Sequence, residues 1–261
     1  MASDNRDPYI RLLVREAVVP LRASASDAAE MVSQLLFGET CLLLEDQKNW
    51  SKVQRDQDGY VGWVDTKMLV PIDPPFDPPQ NFCFALREIA LIQSNGTRLR
   101  IPMGTRLPAD ALQGFFTIAG HSYEVLHHKA LQSPALLTQL SDLAGYFLNT
   151  PYLWGGVSGW GIDCSGLVQT TAAWCGISLP RDSSQQASVG QEVALGKQQA
   201  GDLAFFSKPG KDNITHVGIL KDPQTIIHAS GRVRIDPFDQ NGIIHSDTHQ
   251  ITHHLISMRR C

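Results

Sequence analysis

The chain has 261 residues, 43% of them hydrophobic and 18% charged, which suits one large globular domain or a few small ones and excludes pervasive disorder. A formal net charge of −4 with no Lys/Arg cluster gives no electrostatic footprint for nucleic acid, and no run approaches the ~18 apolar residues of a membrane span. The first residues lack the apolar centre of a secretory leader and the five cysteines are scattered and odd in number, so the chain reads as cytoplasmic with reduced thiols, or as secreted or periplasmic if a leader has been trimmed.

Short strand-like runs come first: Ile10–Val19, Thr40–Glu45, Trp50–Gln54 and Tyr60–Val64, the last two flanking an Asp58-Gly59 hairpin signal. Between them Ser26–Leu36 has helical spacing and predicts an inserted helix. Together these predict a small SH3-like β-barrel over residues 1–72. Five prolines within Pro71–Pro79 predict a stiff linker. A second set of strands follows, Ala90–Gln93 and Arg98–Ile101 around Ser94-Asn95-Gly96, then Phe115–Ala119 and Ser122–Leu126 around Gly120. Gly38-Glu-Thr and Gly104-Thr-Arg each open a strand, a loose repeat that predicts a second small barrel over residues 73–130.

From Leu131 the pattern changes. Ser133 opens an apolar-periodic run through Leu136, Leu140, Leu143, Ala144 and Phe147, a predicted helix. A glycine-rich loop then leads to Cys164, Leu167, Val168, Thr171, Ala172 and Cys175, one face of a second helix that Gly176 ends. Strand-like runs at Asp202–Ser207, His216–Leu220, Thr225–Ala229 and Ile251–Met258 complete an α+β domain over residues 131–261.

Cys164 falls in the first turn of its helix, where unpaired amides and the helix dipole are expected to lower a thiol pKa. Asp163 is placed to cap that helix. Gly155, Gly156, Gly159 and Gly161 are expected to let an extended substrate approach the thiol. A hairpin symmetric about Asp222 sets His216 directly opposite His228, so that one imidazole takes the thiol proton and the other orients it. The blander reading treats each as a satisfied core residue, as expected for Cys41, Cys83 and Cys175; Cys261 is incidental. His245, His249 and His253 recur every fourth residue, but their surroundings read as a strand, which scatters them, and no metal site is expected.

Pro151-Tyr-Leu-Trp-Gly-Gly156, Gly161-Ile-Asp-Cys-Ser-Gly-Leu-Val168, Leu179-Pro-Arg-Asp-Ser183, Gly201-Asp-Leu-Ala-Phe-Phe206, Thr215-His-Val-Gly-Ile219 and Ile227-His-Ala-Ser230 resemble, in order, the motifs of NlpC/P60 cysteine peptidases. With two barrels upstream, the arrangement is similar to the YkfC-like γ-D-glutamyl-L-diamino acid endopeptidases. The resemblance implies a papain-like α+β fold, no cofactor, and hydrolysis of murein peptides that bear a free N-terminal L-alanine. It implies Cys164 as nucleophile, His216 as base, His228 as orienter and Tyr152 near the oxyanion. A free amine in a closed site needs carboxylates, and Asp163 and Glu30, with Tyr60, are the expected partners. Arg181 suits the free α-carboxylate of the γ-linked glutamate, with Ser165, Ser183 and Trp154 as walls and hydrogen-bonding groups. Salt-bridging to Asp182, core packing and an exposed helical face are the plain alternatives for Arg181, Trp154 and Glu30. Three other functions compete: a zinc enzyme using Cys164, His216 and His228 as ligands, a non-catalytic wall-binding module, and an acyltransferase.

Overall fold

A computed structural model describes residues 10–72, 81–134 and 139–261. Residues 73–80 of the expected linker, and residues 135–138 early in the expected Ser133 helix, lie outside the described residues.

The first unit is a seven-stranded antiparallel sheet. Its strands are β1 (Arg11–Val14), β2 (Val18–Arg22), β3 (Met31–Leu36), β4 (Thr40–Gln47), β5 (Trp50–Arg55), β6 (Val61–Asp65) and β7 (Leu69–Pro71), in the order β3-β2-β6-β5-β4-β1-β7. Every strand sends residues into one core, among them Val14, Leu21, Leu35, Cys41, Val53, Val64 and Leu69. Burying a side chain such as fully enclosed Leu35 contributes about 1.5–3 kcal/mol. The inserted helix expected over Ser26–Leu36 is absent. Residues 26–29 form a turn and Met31–Leu36 is an edge strand paired with β2. The error has a physical origin. Ser33, Gln34, Leu35 and Leu36 are all buried, because one face of β3 packs in the barrel and the other meets the remainder of the chain. A strand buried on both faces loses its alternation, and Val32, Leu35 and Leu36 then fall at i, i+3 and i+4.

The second unit holds two small antiparallel sheets around one core that includes Cys83, Ile89, Leu91, Ile101, Leu107, Phe116 and Tyr123. One sheet comprises β9 (Ile89–Gln93), β10 (Arg98–Ile101), β12 (Phe115–Ile118) and β13 (His121–Leu126). The other comprises β8 (Phe82–Ala85), β11 (Arg106–Pro108) and β14 (Leu131–Gln132). Both expected hairpins form.

In the third unit, α1 (Leu140–Ala144) continues as a 3-10 turn to Phe147. The paired segments β15 (Val157–Ser158) and β16 (Gly161–Ile162) precede α2 (Cys164–Trp174) and α3 (Ser183–Gln186). Gly176, just beyond α2, has φ +75°, the left-handed conformation that glycine adopts without a Cβ clash. Then come β17 (Gln191–Glu192), β18 (Leu203–Ser207), β19 (His216–Asp222), β20 (Thr225–Ser230), β21 (Arg232–Asp239), β22 (Gly242–Ile244) and β23 (Ile251–Arg260). Because β22 pairs with both β21 and β23, strands β18 to β23 close into a ring, with β17 attached to β23. Alternation divides the side chains. Leu203, Phe205, Val217, Ile219, Ile227 and Val233 pack outward on α1 and α2, while Ala204, Phe206, Leu220, Ile226 and Phe238 fill the ring. Position parity therefore puts His216, His228 and Asp236 on the inner face.

Candidate active site

The site forms where the start of α2 meets the rim of the ring and the first unit. A cavity of about 420 Å³ is lined by Cys164, Tyr152, Trp154, Asp163, Ser165, Arg181, Ser183, Glu30 and Tyr60, by Asp182, considered from sequence only as a surface partner of Arg181, and by Lys208, Lys211 and Asn213, for which the sequence suggested no role. The fold therefore gathers side chains from the first and third units into one pocket.

Asp163 caps α2, its Oδ1 accepting from the Gly166 amide at 2.7 Å. Its carboxylate also accepts from the Gly155 amide at 2.8 Å, from the Ser165 hydroxyl at 3.2 Å and twice from Arg181. Those five donors occupy its acceptor sites, so Asp163 is bound inside the protein. Arg181 is 2% exposed, and its partner is Asp163 at 2.5 Å, not Asp182 at a surface. The guanidinium also donates to Ser165 Oγ (2.7 Å) and to Ser33 Oγ of β3 (3.0 Å), which leaves one N–H uncommitted. This departs from the expected free fork awaiting a carboxylate: Arg181 ties the thiol's helix cap to the first unit.

The glycine loop also behaves differently from expectation. Gly155 has φ +78°, and a Cβ there would lie 2.5 Å from the Met31 carbonyl oxygen. Gly155 thus lets the loop press against β3, while a Cβ at Gly156 or Gly161 would strike the loop's own Gly161 carbonyl or Leu153 side chain, and one at Gly159 would strike Met103. Trp154 is 60% exposed, so core packing is excluded, and its indole N–H donates to Glu30 Oε1 at 2.7 Å. Glu30 stands just before β3 and at the pocket, where a helix over 26–36 would have set it on an outer face. Tyr60 lies across from it and contacts Asp182 (3.4 Å); burial and the Asp182 charge push its phenol up to about 12.

His216 and His228 share a sheet face, but not as directly opposed residues. The register pairs His228 with Gly218, with a bulge between Leu220 and Asp222. Asp222 accepts from the Gln224 amide and the Thr225 hydroxyl, which tightens the turn to Pro223-Gln224 and slides the pairing by two residues. A two-residue slide keeps the face, and His216 reaches His228 diagonally. Gly218 makes the diagonal possible, since a Cβ there would meet His228 Cβ at 2.9 Å.

His216 Nε2 lies 2.8 Å from His228 Nδ1, and His228 Nε2 lies 2.9 Å from Asp236 Oδ2. Asp236 has its carboxyl held well below the usual carboxylate range by His228 and the Ser246 hydroxyl and amide, against the opposing effect of burial. It is therefore the acceptor, His228 Nε2 carries the proton, and His228 Nδ1 accepts from His216 Nε2–H. His216 Nδ1 is left as a lone pair. Burial holds both imidazoles below the ordinary histidine range, so both are neutral near pH 7. His253 stacks on His216 with ring centroids 4.2 Å apart, and burial lowers it to about 4. Asp236 and His253 were not singled out for these contacts; the inward parity of β21 was the available signal for Asp236. His245, by contrast, bonds Arg234, and His249 is a turn residue with φ +55°.

Cys164 is 8% exposed, and burial followed by the Asp163 charge pushes its thiol up to about 12, against the Val217 and Ser165 amides and Arg181, which pull the other way. The expectation of a thiol acidified by its helix start is overridden by desolvation and an adjacent carboxylate. At rest Cys164 is a thiol whose sulfur meets the amide of Val217, the residue next to the neutral His216. Tyr152, whose amide donates to Gly231 at 3.0 Å, has its phenol raised by burial and by the neighbouring Cys164 and Asp163, and so is an O–H donor.

The NlpC/P60 family model matches residues 149–252, and the bacterial dipeptidyl-peptidase Sh3 domain model matches residues 21–69. The gamma-D-glutamyl-L-lysine dipeptidyl-peptidase of Bacillus subtilis is 32% identical over 213 residues, 76% of this chain and 71% of the relative. The chain belongs to the NlpC/P60 family. A Bacillus cereus protein of the same name as the Bacillus subtilis relative is 30% identical over 254 residues, 84% of this chain and 74% of its own length. The crystal structure of an NlpC/P60 family protein from Bacillus cereus superposes with a TM-score of 0.78 at 21% identity, covering 96% of this chain and 99% of that one. An NlpC/P60 endopeptidase from Photobacterium damselae gives 0.70 at 18% identity, covering 98% and 72%. These two share the fold. This NlpC/P60 chain is thus a cysteine peptidase with a papain-like domain and an SH3 domain N-terminal to it.

Proposed function

We propose that the enzyme hydrolyses the γ-D-glutamyl-L-diamino acid bond of murein peptides with a free N-terminal L-alanine, in the recycling of peptidoglycan peptides. The observation that carries this reading is the Asp236–His228–His216 hydrogen-bonded chain, which begins one residue beyond Thr215 in the lining of a pocket that holds Cys164 and is walled on one side by Glu30 and Tyr60 of the first unit. The names of the two Bacillus relatives supply the bond. In this reading residues 1–72 and 73–130 are two SH3-like units, the first of which walls the cleft, and residues 131–261 perform the chemistry. The second assignment is supported by the paired hairpins and shared core after residue 81.

The mechanism follows from the tautomers. His216 Nδ1 takes the Cys164 proton as sulfur attacks the γ-carbonyl carbon, and the His216 imidazolium is stabilised through His228 by Asp236. The Tyr152 O–H stabilises the oxyanion. As the C–N bond breaks, His216 returns the proton to the leaving amine. A thioester remains, and water, deprotonated by His216, hydrolyses it to release L-Ala-D-Glu and restore the thiol. The substrate's ammonium rests between Glu30 and Asp182, whose carboxylates are not consumed as that of Asp163 is. Arg181 positions Asp163 and Ser165, with Ser183 and Trp154 lining the cleft.

The test is incubation with L-Ala-γ-D-Glu-L-Lys and its N-acetylated form, following lysine release by mass spectrometry. Cleavage of the free-amine peptide alone, abolished in Cys164→Ala, is expected. Equal cleavage of both peptides, or activity surviving in Cys164→Ala, contradicts the reading.

A further inference from the structure

The charges that line the pocket are segregated. Glu30 is bonded to Trp154 and Asp182 to Tyr60, which puts the acids on the side built by the first unit. Arg181 is engaged by Asp163. The remaining cations of the lining, Lys208 and Lys211, come from the segment between β18 and β19, are exposed, and form no salt bridge among the described residues; Asp212 between them does not line the pocket. Lys208 adjoins the other side, since its amide donates to the hydroxyl of Thr215, the residue before His216, at 3.1 Å.

Chemistry links that side to one part of the substrate. His216 gives its proton to the leaving nitrogen, so the residue that departs must lie on the histidine side of Cys164. We propose that Lys208 and Lys211 form a subsite for a carboxylate on the leaving diamino acid, with Asn213 beside them as a further polar group, so that peptides bearing a free carboxylate there are preferred. The inference rests on the peptidase reading above and adds a specificity for the departing half. The carboxylate has two sources: the α-carboxylate of a C-terminal diamino acid, or the side-chain carboxylate of a diamino diacid.

Three peptides separate these sources: L-Ala-γ-D-Glu-L-Lys, its C-terminal amide, and the α-amide of the corresponding meso-diaminopimelate peptide. For the wild-type enzyme, kcat/KM is expected to fall about five-fold from acid to amide, a modest factor because the lysines are solvent-exposed, and the difference should shrink in high salt. Recovery of the rate with the diaminopimelate amide shows that the side-chain carboxylate also fills the subsite; no recovery restricts the subsite to the α-carboxylate. In Lys208→Gln/Lys211→Gln the acid-to-amide ratio should approach one, whereas the Arg/Arg variant should retain it. Equal wild-type rates for all three peptides, or a ratio unchanged in the Gln variant, overturns the subsite while leaving the peptidase reading intact. Absence of cleavage of every peptide overturns both.

Discussion

Asp236 fixes the direction of every proton in the site, because a carboxylate that can only accept dictates which nitrogen of His228, and then of His216, carries hydrogen. Asp236→Asn removes that constraint, and kcat is expected to fall at least about ten-fold with little change in KM, as measured by steady-state kinetics. The pH profile follows from the burial of the same groups. His216 titrates below its ordinary value, so the neutral base persists as pH falls through about 6.5, and the acid limb of kcat/KM should lie below that pH. The sign for stability is the same. The unfolded chain binds protons at these histidines that the folded chain does not, so stability is full above about pH 6.5 and declines on acidification. Because the thiol is raised to about 12, alkylation of Cys164 by iodoacetamide should keep accelerating beyond pH 8, and a plateau between pH 5 and 8 would show a preformed thiolate instead. The placement of Cys164 at a helix start and of His216 and His228 on one strand face was legible because a capping aspartate and the strand period of two can be read from sequence. The thiol's electrostatic state was not, since desolvation depends on what the fold packs over the sulfur.

Among the elements, the β19–β20 hairpin shows which errors matter. Centring the turn on Asp222 missed the register by two residues, yet the strand period of two kept both histidines on the same face. Gly218 carries the consequence: Gly218→Ala would drive a methyl against His228 and Ile226, costing about 1–3 kcal/mol and disordering the His216–His228 contact. Thermal melting should detect the destabilisation, and activity should fall further than the change in stability explains. The start of α2 was readable from Asp163, and its end from Gly176. The β3 strand was not, because local spacing cannot distinguish a helix from a strand covered on both faces. Tertiary contact, not propensity, decides Ser33 and Gln34, which meet Arg181 and the Val157 amide.

On the scale of the whole molecule, the misread segment proves to be the wall of the cleft. Three bonds join the first unit to the catalytic domain at the pocket: Glu30 to Trp154, Ser33 to Arg181, and Tyr60 to Asp182. The docking of the barrel thus shapes one side of the pocket, a role that composition and motif order alone did not localise. Glu30→Gln keeps the Trp154 hydrogen bond but loses the charge, and should reduce the preference for free over acetylated N-termini several-fold, an exposed charge being worth roughly 1 kcal/mol or less. Competition between the two peptides, quantified by mass spectrometry, measures it. The central claim is that Cys164 acts as a nucleophile served by His216. Acid-quenching the enzyme within its first turnovers of L-Ala-γ-D-Glu-L-Lys and mapping the modified peptide by mass spectrometry tests it most directly. An L-alanyl-γ-D-glutamyl thioester on Cys164, absent in Cys164→Ala, is the result predicted; turnover with no adduct on Cys164 and undiminished in the alanine variant would contradict it.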